Sequence, residues 1–336
     1  MLLTFEKEKP SHPLHPHMIL DLDLMVSMST LKDKTTAVIP TSTAPIDCLL
    51  WTIFSMLLHT RPDESLEHIC VCVNGPDPRT GSTALQDKKQ AFLEDLRRLK
   101  WEVPGCSVSR DMPLTVIRAW SRIGHPEAIE MATPWIHTDS YLITHDDIII
   151  TKPNWLEEAN KFYQNPNAAV ANWMPLYCAL CDTADYQNKK LLRLPHMLCT
   201  FLLCKKPLID KTKASWCGYH IPIEDHTIEQ LTGDASRFIN IHKDETNHSS
   251  PPNPELIYNF LSMEMGAWLI NNIRENGFEY MQMDPDLIVH FGAMSWDSEE
   301  GKKQRLGDRV KWTDPLESEI LQHPTFGPLY SKYATK

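Results

Sequence analysis

Four short apolar runs in the first half of the chain, each followed by a stretch of helical periodicity, restrict the fold more than any other feature. The runs are Thr36-Ala-Val-Ile-Pro-Thr41, His68-Ile-Cys-Val-Cys-Val73, Pro113-Leu-Thr-Val-Ile-Arg118 and Ser140-Tyr-Leu-Ile-Thr144. They are rich in β-branched residues and too short for helices, which is the signature of buried strands. Between them, Pro45 to Thr60 carries Leu49, Ile53, Met56 and Leu57 at helical spacing. Gln86 to Lys100 reads as a charged amphipathic helix and Pro126 to Thr133 as a short one. Such alternation implies a mainly parallel sheet with helices on both faces. Ligands of these sheets sit beyond the carboxyl ends of the strands. That rule places Pro40, Thr41, Asn74 and the triplet His145-Asp146-Asp147 around one crevice.

The second half reads differently. Helices are expected over Pro153–Phe162 and Pro254–Asn276, the latter stopped near Gly277. Strands are expected at Ala168–Trp173, Leu198–Cys204, Tyr280–Met283 and Asp286–His290. Residues 211–255 are polar and His-rich, too long for an ordinary connection, and read as a functional loop or subdomain. The division that follows is an N-terminal extension over 1–34, a domain over 35–296 with halves 35–150 and 151–296, and a polar tail over 297–336.

Composition excludes little but points consistently. A net charge of −11, without a long run of Lys or Arg, argues against a polyanionic partner. The most apolar stretch, Ile46–Leu58, is too short to span a bilayer and carries Asp47, Thr52 and Ser55. With no signal-peptide pattern at the N-terminus, a soluble cytoplasmic location is expected. Nine cysteines read as reduced core thiols. Cys178-Ala-Leu-Cys181 has zinc-knuckle spacing, with Cys199 and Cys204 as a conceivable second pair, but the flanks lack knuckle character.

The triplet carries the chemistry. Adjacent carboxylates at a strand end repel one another and call for a cation, and a hard divalent ion would bridge them to a diphosphate. The bland alternative is a solvated turn, where Asp is common. The surrounding stretch, Ser140-Tyr-Leu-Ile-Thr-His-Asp-Asp-Ile-Ile-Ile-Thr-Lys-Pro-Asn-Trp-Leu156, resembles the acidic metal motif of GT-A fold glycosyltransferases, family-two-like enzymes that use nucleotide-diphospho-sugars. Gly124-His-Pro-Glu-Ala-Ile-Glu-Met-Ala132 resembles that family's preceding helix. Thr36–Pro45 and His68–Pro76 resemble its first two strands, and the likeness extends over about 35–296.

The resemblance implies a Rossmann-like GT-A fold, catalytic over 35–296 with 35–150 as its nucleotide-sugar-binding half and 151–296 as its acceptor-binding half, and a divalent cation, Mn²⁺ or Mg²⁺. His145, Asp147 and His290 would hold the ion, with Asp146 as the second-choice carboxylate. Pro40, Thr41, Asn74 and Asp146 would line the donor site. This chain departs from the family by placing His145, or Thr144 in the other register, where an Asp is usual; histidine also ligates Mn²⁺. His290 ends the apolar run Leu287-Ile-Val289 as the family's late histidine does. For the base of an inverting transfer, Asp225 and Glu224, read as a helix start, rank before Glu264. His220, His226, His242 and His248 fit no zinc spacing, and Trp173, Trp216 and Trp296 are candidates to stack on sugar rings.

The expected activity is therefore metal-dependent transfer of a sugar from a nucleotide-diphosphate donor to an acceptor hydroxyl. A glycan, lipid, protein or small-molecule acceptor is favoured over a modified nucleic-acid base. The alternatives are a non-catalytic sugar-nucleotide-binding module and a sugar-phosphate nucleotidyltransferase. The latter should show a Gly-rich, Arg-containing loop that Pro40-Thr-Ser-Thr-Ala-Pro45 lacks.

Overall fold

The computed structural model describes residues 31–61, 66–77, 80–103, 107–153, 155–174, 182–186, 189–193, 199–213, 215–227, 255, 257–263, 266–292 and 299–335. The first half runs β1 (Leu31–Thr41), α1 (Ile46–Leu58), β2 (Leu66–Val73), α2 (Ala84–Arg97), β3 (Lys100–Glu102), β4 (Ser109–Asp111), β5 (Leu114–Arg118), α3 (His125–Ala132), β6 (Thr138–Thr144) and β7 (Ile148–Ile150). The second half continues with α4 (Trp155–Gln164), β8 (Ala168–Asn172), β9 (Asp182–Tyr186), β10 (Lys189–Arg193), β11 (Phe201–Lys205), α5 (Lys206–Thr212), β12 (Tyr219–Thr227) and β13 (Ile257–Met263). It ends with α6 (Ala267–Glu275), β14 (Glu279–Gln282), β15 (Ile288–His290), α7 (Glu299–Gln322) and α8 (Phe326–Tyr333).

Seven strands form the central sheet in the order β14-β8-β11-β6-β1-β2-β5. The neighbours β6–β1, β1–β2, β2–β5 and β14–β8 are parallel, and only β11 runs against both its neighbours. Both faces are covered, as the apolar runs require. Ala37, Ile39, Ile69, Val71 and Leu142 pack to one side with α1, α2, α4, α7 and α8. Val38, Cys70, Tyr141 and Ile143 pack to the other with α3, α5 and α6. This is the period-two alternation of a strand, here apolar in both directions.

Helix α1 is buried along nearly its whole length, and its polar residues have a use. Thr52 Oγ1 donates to Ile148 O at 2.8 Å and accepts from Ile148 N at 3.1 Å; Ser55 Oγ accepts from Ile150 N at 3.1 Å. The other edge of β7 pairs with β15. Two hydroxyls thus satisfy a short buried strand that has one strand neighbour among the described residues, where unpaired backbone groups would each cost about 1–3 kcal/mol.

Three expectations fail. The segment read as one helix from Pro254 to Asn276 is strand β13 followed by the shorter helix α6. Ile257, Tyr258 and Phe260 favour a strand, and β13 takes the centre of a second sheet ordered β12-β13-β10-β9. The polar tail is helical: Leu316, Ile320, Phe326, Leu329, Tyr330 and Tyr333 join the core against α1 and α2. Glu224-Asp225, read as a helix start, lies within strand β12. The Cys178/Cys181 pair lies outside the described residues, whereas Cys199 and Cys204 are buried in the core, outside any disulfide, as expected.

Candidate metal and donor site

Strand β6 delivers the triplet, and two contacts to the start of β11 fix its first residue. His145 N donates to Thr200 O at 3.1 Å and Thr144 Oγ1 to the same carbonyl at 3.0 Å. The chain then turns into β7, whose antiparallel ladder with β15 pairs Ile148 with His290. Phe291 N donates to Asp147 O at 3.0 Å, so the ladder carries on past the strand ends. Register is what brings His290 to Asp147, because a one-residue slip in a strand turns a side chain to the other face.

His145, Asp147 and His290 converge, each offering one ligand atom, with all three atoms within 4.8 Å of one another. His290 Nε2 stands 3.2 Å from Asp147 Oδ1, and His145 Nδ1 stands 3.7 Å from it, without the alignment of hydrogen bonds. Asp147 is buried. Burial opposes its ionisation, but the two imidazoles overcome that and hold its carboxyl well below the usual carboxylate range.

Asp146 has a different environment. Lys89 of α2, fully buried, places Nζ 3.0 Å from Asp146 Oδ2, 2.6 Å from Thr41 Oγ1 and 3.0 Å from Ser42 O. Thr41 Oγ1 also donates to Asp146 Oδ2. The two neighbouring carboxylates are thereby sorted: Asp146 is neutralised by a lysine, and Asp147 stands against two imidazoles. The ladder between β1 and β6 ends at the Val38–Ile143 pair, and Pro40, which has no N–H, follows two residues later.

Asn74 lies beside Thr41, its N–H donating to Thr41 O at 2.9 Å. Its side chain makes three hydrogen bonds: Nδ2 donates to Ile123 O at 2.7 Å, and Oδ1 accepts from Ile123 N at 2.9 Å and Gly75 N at 2.8 Å. Gly75 is required by close approach, since a Cβ there would meet Ser121 C at 2.2 Å. Together they clamp the loop 121–124, which feeds into α3. The first residue of α3, His125, sets its ring 4.7 Å from that of His145. Its Nε2 is buried without a hydrogen-bond partner.

Of the expected site residues, the fold brings Pro40, Thr41, Asn74, His145, Asp146, Asp147 and His290 to one end of the sheet. Asp225 stands exposed on the second sheet, at a positive φ of 61°, and accepts from Asn259 Nδ2. Glu224 shares that strand, and Glu264 lies outside the described residues, as do His242, His248 and Trp296. Lys89 and His125 were not singled out in the sequence. Lys89 sits among charged residues of an amphipathic helix, and His125 carries no spacing signal. Trp173 has its ring 6.4 Å from that of His290, while Trp216 packs edge-on to Tyr141.

Two imidazoles and one carboxylate are a donor set for a divalent transition ion, and three protein ligands leave coordination positions open. The residues fit such an ion: Asp147 Oδ1, which both imidazoles approach, is buried without a hydrogen-bond partner, which is costly unless something else satisfies it. The second imidazole makes Mg²⁺, which prefers oxygen, a poor match.

No protein-family profile matches the chain, and no curated protein matches it in sequence. Among solved structures it is similar to a mannosyltransferase, PcManGT from Pyrobaculum calidifontis, in complex with GDP-Man and Mn²⁺. The TM-score is 0.44 at 10% identity, covering 92% of this chain and 72% of the other. It is also similar to residues 1–349 of TarS from S. aureus, with a TM-score of 0.35 at 11% identity, covering 89% of this chain and 78% of that one.

Proposed function

We propose that this chain is a GT-A-type glycosyltransferase that moves a sugar from a nucleotide-diphosphate donor to an acceptor hydroxyl, using a divalent cation. The observation that carries the reading is the convergence of His145, Asp147 and His290 at the carboxyl end of β6, beside Thr41 and Asn74 at the ends of β1 and β2. That edge of a mainly parallel sheet is where a nucleotide is bound in α/β folds. A bound divalent ion supplies charge to stabilise a departing diphosphate.

The chain's own residues divide the remaining work. Asp147 and the two histidines orient the ion, with Mn²⁺ favoured over Mg²⁺. Lys89 keeps Asp146 from adding a second uncompensated negative charge beside an anionic donor. Asn74 and Gly75 hold the loop that presents His125 against His145. The proton of the acceptor hydroxyl is assigned to a carboxylate, with Asp225, Glu224 and Glu264 as candidates. Replacing each by Asn or Gln identifies the base as the variant that keeps donor binding and loses transfer.

The test is a thermal-shift and hydrolysis screen of nucleotide-diphospho-sugars with Mn²⁺, with Mg²⁺ and with chelator. A Mn²⁺-dependent shift by one donor, and slow Mn²⁺-dependent release of its nucleoside diphosphate, is expected. No cation-dependent nucleotide binding and no hydrolysis with any donor would sink the reading.

A further inference from the structure

Trp173 follows directly on β8 and is half-buried, with its ring at 79° to that of His290 and 6.4 Å away. Its indole Nε1 is buried and has no hydrogen-bond partner. An indole N–H only donates, so it cannot ligate a cation and cannot pair with another donor. Buried indole N–H groups ordinarily find an acceptor, and leaving one without costs about as much as a lost hydrogen bond.

The charge around it says what kind of acceptor is missing. Asp146 is compensated by Lys89, whereas Asp147 stands against two imidazoles that can themselves ligate a cation. A divalent ion held by Asp147 and two neutral imidazoles keeps a net positive charge and open coordination positions. Such a centre recruits an anionic oxygen ligand. The Trp173 ring lies beside that of His290, and an oxygen of that same ligand would answer its unmet donor.

We propose that Trp173 is a binding residue for the anion, donating from Nε1 to an oxygen of a cation-held diphosphate, so that the site takes the cation and diphosphate as a pair. This rests on the glycosyltransferase reading and adds a residue to it. It differs from a stacking role, in which the ring face meets a sugar and the N–H is immaterial.

The experiment uses the full chain and compares wild type with Trp173→Phe, which keeps an aromatic ring without the N–H, and with Trp173→Leu, which keeps neither. Mn²⁺ binding alone is followed by its electron paramagnetic resonance signal, and UDP and GDP binding in saturating Mn²⁺ by calorimetry. The expectation is unchanged Mn²⁺ affinity in Trp173→Phe with nucleoside-diphosphate affinity reduced about tenfold, the weight of one hydrogen bond to a charged group. Trp173→Leu should lose at least as much.

Unchanged diphosphate affinity in Trp173→Phe with a loss only in Trp173→Leu would overturn the proposal in favour of stacking or packing. Loss of Mn²⁺ binding alone in Trp173→Phe would overturn it in favour of a purely structural role. Wild-type protein that binds neither nucleotide with Mn²⁺ would instead remove the underlying reading, a result visible before any variant is made.

Discussion

Lys89 Nζ lies 3.0 Å from Asp146 Oδ2, with the lysine side chain wholly buried and the carboxylate nearly so. On the proposed reading, this contact leaves Asp147 rather than Asp146 for a cation. Removing one partner of a buried pair strands a charge, at a cost of about 3–5 kcal/mol. Lys89→Met should therefore destabilise the protein by that order in chemical denaturation. The double variant Lys89→Met/Asp146→Asn should recover part of the loss. A single-variant effect below about 1 kcal/mol would mean that the pair is solvated in solution.

The sorting also predicts asymmetry at the metal site. Asp147→Asn should abolish the Mn²⁺-induced thermal shift while leaving the fold in place. Asp146→Asn should lower the melting temperature yet keep the shift. Mg²⁺ should produce little shift in either variant or in wild type, because two imidazoles suit Mn²⁺ and heavier first-row ions better. Equal Mn²⁺ responses in the two Asn variants would contradict the assignment.

Asn74 is expected to act at a distance. Asn74→Ala removes three hydrogen bonds around residues 75 and 123, at a cost of about 1–3 kcal/mol. It also frees the loop that seats His125 against His145. Weakened Mn²⁺ binding by calorimetry, without any loss of a ligand, is the predicted result. Intact Mn²⁺ affinity would confine Asn74 to loop stability.

A separate pH dependence should come from His68, on β2. Burial pushes its imidazole down to about 4, and its Nε2 lies 3.0 Å from Thr115 Oγ1. The unfolded chain binds a proton near pH 6.5, where the native ring does not, so stability falls as pH drops from about 6.5 towards 4. Below that window both states are protonated and the contribution levels off. His68→Gln should flatten the slope of unfolding free energy against pH by up to about one proton there. An unaltered slope would show that other groups govern it.

Much of this arrangement was legible because it rests on local pattern. Buried parallel strands such as Val38–Ile39 and Ile69–Val73 announce themselves as unbroken apolar runs, and strand ends locate Thr41, Asn74 and the triplet. What stayed hidden depends on distant partners. Lys89 reads as a solvated charge until Asp146, 57 residues away, meets it. Helices α7 and α8 set their apolar residues among Glu, Lys and Gln, with Pro315 inside the first, so overall polarity outweighs the spacing of Leu316, Ile320 and Phe326. Strand β13 failed for the opposite reason, since a short mixed run supports either period until a sheet claims it.

The C-terminal helices give a further prediction. Trp51 Nε1 donates to Glu317 Oε1 at 3.0 Å, and Phe54 meets Phe326 with ring centroids 5.2 Å apart. Ending the chain after residue 298 would strip six buried apolar residues from the face of α1 and α2, each worth about 1.5–3 kcal/mol of burial. Such a protein should be insoluble or lack a cooperative unfolding transition. A soluble, cooperatively folding product would show that α1 needs no cover.

The pairing of β7 with β15 has a consequence for biosynthesis. On the proposed reading, two of the three cation ligands lie near mid-chain, whereas His290, on β15, is translated after every other described strand. A nascent chain would then have an incomplete ligand set for most of its synthesis, and capture of the cation would be a late event.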